Sequence, residues 1–425
     1  MKVIVWGINY RPESTGIAPF NAELAEFLNQ EEHDVSVVTG FPYYPQWRKT
    51  PGDRRLYRTE RINGINVHRC GLYVPRRVST LKRIVHELSF GLSSLLRVLF
   101  LPRADVYVVV SPPLCLGFFA WLALLVKRSP YVFHVQDLQP GAAVGLGMVK
   151  GRTFIRILFA LEAFAYRHAA AVSGISDGMM AEFRRKGVPA RKRVYFPNWL
   201  RGGGGAPQVA RGEFRRRFHV PPGDLLAVYS GNLGRKQGIE ILLETAQQLH
   251  GTGQPAGITL VIAGAGAERE ALAARVAALN LPGLRLLPLL SDEEYAMMLA
   301  DADVGLITQA SGTGQFFFPS KLLSLLQAGV PVATVADEDS ELARAVADGG
   351  FGVNVAPGDA AALTAALAQL AAERGALARL AAQTRWVQRF SPALVLPQYA
   401  QALARVIAGT QPTPELVEQH EPSGV

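Results

Sequence analysis

Cysteine is nearly absent: Cys70 and Cys115 are the only two in 425 residues. Two thiols exclude a disulfide framework and a cysteine metal set, and they predict two buried, reduced side chains. Charge is sparse as well, at 19% of residues against 49% hydrophobic. That balance excludes a disordered chain. No charged leader precedes the first apolar run; KVIVWGIN follows Met1 and reads as a strand, so no signal peptide is expected. A membrane-spanning run is also missing. Val106 to Val126 is uncharged and long enough. Pro112–Pro113 divides it, however, into a buried strand, VYVVV, and a helix, LCLGFFAWLALLV, too short to cross. Of the dinucleotide fingerprint G-x-G-x-x-G only Gly264 and Gly266 stand after a strand, so that cofactor fold is not supported.

The length suits two domains of about 200 residues each. Net charge is +9, and all of it sits in one stretch: Arg48 to Arg83 holds eleven Lys/Arg against Asp53 and Glu60. Such a patch points to an anionic membrane surface or a nucleic acid. The apolar segments that follow, Leu88 to Leu101 first, favour a membrane interface. No nucleic-acid module is interleaved with the basic run.

Along the chain, strand and helix patterns alternate, which predicts α/β architecture with doubly wound sheets. Residues 1–200 form one domain and RGGGGAPQVARG (201–212) reads as a linker. Residues 213–390 form a second domain, 391–408 a last helix, and 409–425 a polar tail expected to be disordered.

The stretch QFFFPSKLLSLLQAGVPVAT is the densest signal. Pro319 and Ser320 open a helix, Leu322, Leu323, Leu325 and Leu326 give it a buried face, and Gly329 ends it. Free N–H groups at Ser320 to Leu322, the helix dipole and Lys321 meet at its start, which suits a diphosphate. A second such place is the loop NLGRKQG after strand LLAVYSG, where Gly231, Asn232, Gly234, Arg235, Lys236 and Gln237 combine glycine with cations. In the first half, the loop after the first strand carries Gly16 and an unusual charge, Glu13, able to bind a substrate hydroxyl. HVQDLQP sets His134, Gln136 and Asp137 at a strand's C-terminal end, where α/β chemistry is done. The loop FPYYPQW is a further candidate contact for an acceptor. Asp301-Ala302-Asp303 has the form of a metal-binding DxD, but it ends a helix and feeds a strand, so its reading is structural.

YSGNLGRKQGIE, LVIAGAGAER, ADVGLI, PSKLLSLLQAGVPV and VAPGD, in that order, resemble the nucleotide-binding half of retaining glycosyltransferases of family 4, with the GT-B fold. VQDLQP, SGIS…GMM…GVP and FPNW in the first half resemble a narrower branch that builds colanic acid, capsule and O-antigen units, with fucosyl- and N-acetylfucosaminyltransferase-like members. The resemblance covers about residues 1–405. It implies two Rossmann-like domains facing across a cleft, an acceptor on the first and a UDP- or GDP-sugar on the second. It implies transfer with retention, with no metal or other cofactor, and a last helix that crosses back to the first domain. Breaking the sugar–diphosphate bond builds charge on the leaving phosphate, which fixed cations must stabilise. Arg235, Lys236 and Lys321 are the candidates, with Asp137 as the group that binds or activates the acceptor. The resemblance puts the base and ribose near Gly264, Gly266, Leu287 and Pro288. It implies a lipid-linked saccharide acceptor and a peripheral position on the inner face of the membrane.

Two positions depart from the wider family. Its E-x7-E glutamates fall on Phe316 and Ser324, and neither is acidic. Its histidine after the first-domain strand falls on Gln136, which cannot act as a base. A nucleotide-sugar 2-epimerase and a non-catalytic sugar-nucleotide binder are the competing readings.

Overall fold

Runs of Val, Ile and Leu bounded by Gly, Pro or Asp become the strands of two sheets. The structure is a computed structural model and describes residues 1–49, 55–77, 79–138, 141, 151–200, 209–250, 257–314 and 321–410. The chain divides into two units: Met1–Asn198 with Ala393–Val425, and Trp199–Pro392.

The first unit runs β1 (Lys2–Trp6), α1 (Ala18–Gln30), β2 (Asp34–Gly40), β3 (Tyr57–Ile62), β4 (Ile65–Cys70), α2 (Thr80–Phe100) and β5 (Val106–Ser111). It continues with α3 (Leu116–Lys127), β6 (Tyr131–Val135), α4 (Arg152–His168), β7 (Ala171–Gly174), α5 (Asp177–Arg185) and β8 (Arg193–Tyr195). Its sheet order is β3-β4-β2-β1-β5-β6-β7-β8. All neighbours are parallel except β3, which pairs antiparallel with β4. β3 has no counterpart in the sequence reading. Its sequence, YRTERI, is that of a charged edge strand, and charge on an edge blocks pairing with other chains. Winding reverses between β1 and β5, so loops at the C-terminal ends of those strands open onto a crevice. The uncharged run from Val106 resolves as β5, a double-proline turn and α3. Among the described residues no helix is long and apolar enough to cross a membrane. Cys70 and Cys115 are buried free thiols.

The second unit runs α6 (Glu213–Arg217), β9 (Leu225–Asn232), α7 (Glu240–His250), β10 (Ile258–Ala265), α8 (Arg269–Leu279), β11 (Leu284–Leu287) and α9 (Asp292–Asp301). Then come β12 (Val304–Thr308), α10 (Lys321–Gln327), β13 (Val332–Val335), α11 (Glu341–Gly349), β14 (Gly352–Val355), α12 (Ala360–Ala372) and α13 (Arg374–Ala382). The sheet order β11-β10-β9-β12-β13-β14 is fully parallel. Both faces are covered: Leu225, Ala227 and Tyr229 of β9 pack under one helix layer, Leu226 and Val228 under the other. Serine caps start several helices; Ser291 and Glu294 form a reciprocal capping box on α9. The helical run is broken at Glu373, between α12 and α13, and Gly375 lies inside α13.

The final helix, α14 (Pro392–Ala408), packs on the first unit. Its Tyr399 ring stacks on Phe196 with centroids 3.6 Å apart and planes 6° apart. The tail beyond residue 410 and linker residues 201–208 lie outside the described residues.

Candidate active site

In the second unit the winding reverses between β9 and β12, and ligands bind beyond the C-terminal ends of such strands. Lys321, first residue of α10, reaches this point. Its Nζ lies 3.8 Å over the centroid of the Tyr229 ring. A Cβ on Gly231 would stand 3.3 Å from that Nζ, so the glycine leaves the room the ammonium occupies. The residue as a whole is half-buried, but its Nζ is sealed and has no hydrogen-bond partner among the described residues. Burial without a counter-ion pushes its pKa down to about 7. A buried, unpaired ammonium is costly unless an anion joins it. Pro319 and Ser320, which the sequence places at this helix start, lie outside the described residues, as does Phe316.

The remaining donor-side candidates divide. Asn232 Nδ2 donates to Gln237 Oε1 at 3.3 Å, and Tyr229 OH donates to the Asn232 carbonyl at 2.8 Å. This ties the glycine loop to the aromatic ring beneath Lys321. Gly234 begins the turn Arg235–Gln237, and the Lys236 carbonyl accepts from Ala310 N at 3.0 Å. Arg235 does not join Lys321. Its side chain is 88% exposed and pairs with Glu268 at 3.4 Å, because the short turn directs it outward. Gly264 and Gly266 answer first to packing: a Cβ on Gly264 would meet the Gly231 carbonyl at 1.9 Å, and one on Gly266 the Leu233 carbonyl at 2.2 Å. Leu287 is half-buried and Pro288 exposed at the end of β11, beside β10. Leu322 is a core side chain, so only its backbone is available to a ligand. Ser324, at the position of the missing glutamate, shares a side-chain hydrogen bond with Tyr295.

In the first unit, Asp137 follows β6 and is half-buried. It acts electrostatically on the Tyr44 hydroxyl. That hydroxyl is raised above the ordinary tyrosine range chiefly by burial, with Arg83 opposing and Glu13 and Asp137 adding to the rise. Asp137, Tyr44 and Arg83 therefore share one neighbourhood, and Gly16 adjoins it; a Cβ there would stand 3.5 Å from the Tyr44 ring. The loop after β2 thus lies within electrostatic reach of the loop after β6.

Two expectations here need correction. Glu13 is buried, and its Oε1 accepts from the backbone N–H of Tyr43 and of Tyr44, each at 2.9 Å, while Oε2 accepts from Asn9 Nδ2 at 2.9 Å. Its lone pairs hold the aromatic loop in place rather than a substrate hydroxyl. His134 is 2% exposed and cannot touch an acceptor. Gln136 Nε2 donates to His134 Nε2 at 2.8 Å, so Nδ1 carries the proton and donates to Ser173 Oγ at 2.9 Å. Ser173 Oγ and Tyr399 OH share a bond at 3.3 Å. Burial pushes the His134 pKa down to about 3. The imidazole is a neutral link between Gln136 and α14.

No local pattern marks the Tyr399–Ser173 link, because the partners are 226 positions apart. Tyr229 was legible in principle: it lies two residues before Gly231 and so shares its strand face. Asp301 accepts from the backbone N–H of Gly212 and, at 3.0 Å, of Arg215. Asp303 accepts from Arg215 Nη2 at 2.6 Å and Leu226 N at 2.8 Å. The DxD pair is structural. In the basic stretch, Arg69 is buried and ion-paired to Glu60 at 2.7 Å, and Arg58 pairs with the same glutamate at 2.8 Å. Residues 50–54 and 78 of that stretch lie outside the described residues.

Residues 15–199 match the family model of a Glycosyl transferase 4-like domain, and residues 224–373 that of Glycosyl transferases group 1. The Escherichia coli (strain K12) protein WcaI, named for glycosyl transfer in colanic acid biosynthesis, is 33% identical over 387 residues, 87% of this chain and 92% of WcaI. Sucrose-phosphate synthase from Thermosynechococcus elongatus superimposes with a TM-score of 0.73 at 18% identity, over 96% of this chain and 99% of that one. Anabaena Alr3699/HepE in complex with UDP gives 0.68 at 16% identity, over 95% of this chain and 100% of that one. These likenesses establish the shared GT-B fold.

Proposed function

This chain belongs to the glycosyltransferases that join a 4-like domain to a group 1 domain, and on that premise we propose a retaining transferase using a UDP- or GDP-sugar. The observation that carries the donor reading is the sealed Nζ of Lys321, without a hydrogen-bond partner among the described residues, at the switch point of the second sheet. A donor diphosphate supplies the missing anion, and its charge restores the proton that burial weakens. As the sugar–phosphate bond lengthens, charge grows on the leaving oxygen, and a fixed ammonium in a water-poor site stabilises it. Gly231, Asn232 and Gln237 shape the approach. No metal is invoked: the chain's own cation serves the leaving group, while the DxD oxygens hold α6 and Arg215.

The acceptor reading rests on the Asp137–Tyr44–Arg83 neighbourhood. A carboxylate can orient or deprotonate an attacking hydroxyl, an aromatic ring can face a sugar, and a guanidinium can hold a phosphate. That combination fits a lipid-linked saccharide, assembled for an exported polysaccharide at the inner face of the membrane. The likeness to WcaI supports the polysaccharide assignment.

The test is a panel of UDP- and GDP-sugars with a short-chain lipid-diphosphate saccharide, read by mass spectrometry, with and without EDTA. One donor should add one sugar mass, unaffected by EDTA and lost in Lys321→Ala. Donor conversion without acceptor would indicate the epimerase. Nucleotide binding without turnover of any donor would indicate a binding protein.

A further inference from the structure

The long helix α2 is built inside out. Its buried face carries His86, Gly91, Ser93 and Ser94 beside Phe90 and Val98. Its exposed face carries Leu81, Val85, Leu88, Leu92, Leu96 and Phe100, with Leu81 71% and Phe100 84% exposed. These six recur every three or four residues and so form one stripe. From Val85 onward every exposed position of the helix is apolar. A helix of a soluble protein puts its apolar stripe inward. Here polar groups face the core: His86 bonds the Tyr73 carbonyl and Ser94 Oγ donates to the Gly91 carbonyl.

The patch continues past the helix. Leu125 and Val126, exposed at the end of α3, adjoin the end of α2, where Lys127 Nζ donates to the Leu101 carbonyl. Cations flank the stripe at both ends: Arg76, Arg77, Lys82 and Arg83 around its start, Arg103 and Arg128 after it, all exposed. The acids nearby are occupied, Glu87 by Arg83 at 3.0 Å and Asp105 by the Lys2 backbone N–H at 2.7 Å.

We propose that the outer face of α2 lies in the plane of an anionic lipid membrane, with the stripe among the acyl chains and the flanking cations at the headgroups. A second copy of the chain fits less well. Both ends of the stripe are positive, so a copy laid against it in either direction opposes cation to cation. Arg83 stands at the start of the same helix and in the Tyr44–Asp137 neighbourhood, so a membrane held here is continuous with the acceptor side. This deepens the membrane reading above. Its test contains neither donor nor acceptor, so either can fail alone.

Full-length protein is sedimented with vesicles of phosphatidylglycerol and phosphatidylethanolamine, and separately with phosphatidylcholine. Binding to the anionic vesicles is expected, weakened by salt, and reduced at least about tenfold in Leu88→Asp/Leu92→Asp/Leu96→Asp. A separate Leu92→Trp variant should shift its emission to the blue on adding anionic vesicles and be quenched by brominated acyl chains. Circular dichroism should show the triple variant folded, since all three sites are exposed. Absence of wild-type binding, or binding untouched by the triple variant, would overturn the proposal. So would a lipid-free dimer that the triple variant splits.

Discussion

The Lys321 ammonium lies 3.8 Å over the centroid of the Tyr229 ring, with no hydrogen-bond partner among the described residues. A desolvated cation over an aromatic face gains about 2 kcal/mol from the ring, less than burial of the charge costs. The ring positions the cation, and the balance is left to a ligand. Lys321→Ala is therefore expected to lower kcat by about 10²–10³-fold. Lys321→Met should raise the Tm of the ligand-free protein while abolishing transfer. A variant that loses both stability and activity would make the lysine structural.

The depressed pKa fixes the sign of a pH effect. Folded Lys321 holds its proton only below about 7, whereas the unfolded side chain holds it to about 10.4. Between those values the unfolded state binds more protons, so this group's contribution to stability rises with pH. A bound diphosphate reverses the shift. UDP or GDP binding at pH 8 should take up close to one proton, read by calorimetry in buffers of different ionisation enthalpy. Proton uptake absent in wild type would show that the diphosphate does not meet Lys321.

The relay through His134 predicts an acid-sensitive fold. Its pKa near 3 lies below the unfolded value of about 6.5. As pH falls from about 6.5 towards 3, only the unfolded imidazole gains a proton, so stability is lost across that window. His134→Gln keeps hydrogen bonding to Ser173 possible and should flatten the Tm–pH curve there. His134→Ala should cost about 1–3 kcal/mol at neutral pH by removing the acceptor of the buried Gln136 amide and the donor to Ser173, which keeps Tyr399.

Glu13 and Asp137 should separate by phenotype. Glu13→Ala strands the N–H groups of Tyr43 and Tyr44, at about 1–3 kcal/mol. Limited proteolysis within residues 41–47 should then accelerate. Asp137→Asn should leave Tm unchanged and lower kcat by about 10²–10⁴-fold. Equal loss of Tm in both variants would place Asp137 in the scaffold.

Arg235→Ala should change transfer less than about threefold, because an exposed ion pair contributes little. A loss comparable to that of Lys321→Ala would show that Arg235 swings onto the donor.

The order of strands and helices was legible because apolar period and punctuation are local: Pro112–Pro113 cut one run, and Ser176 and Ser291 cap the starts of α5 and α9. The family was legible for the same reason, since glycine loops and helix starts are contiguous motifs. β3 escaped because a charged edge strand has no apolar period. Leu88 to Leu101 reads simply as an apolar segment; only the tertiary structure set Ser93 and Ser94 inward and Leu92 and Leu96 outward. The cations tell the same story. Residue type offered Arg235 and Lys321 equally, but Lys321 became the sealed one because α10 delivers it to a ring from β9 and a glycine with no Cβ. Likewise Glu13 and His134 had the right chemistry in the right loops, yet distant partners had already taken their lone pairs and protons. Sequence determines which groups exist and which element carries them. Which are left unsatisfied, and so available to a ligand, depends on neighbours that only folding brings within hydrogen-bond reach.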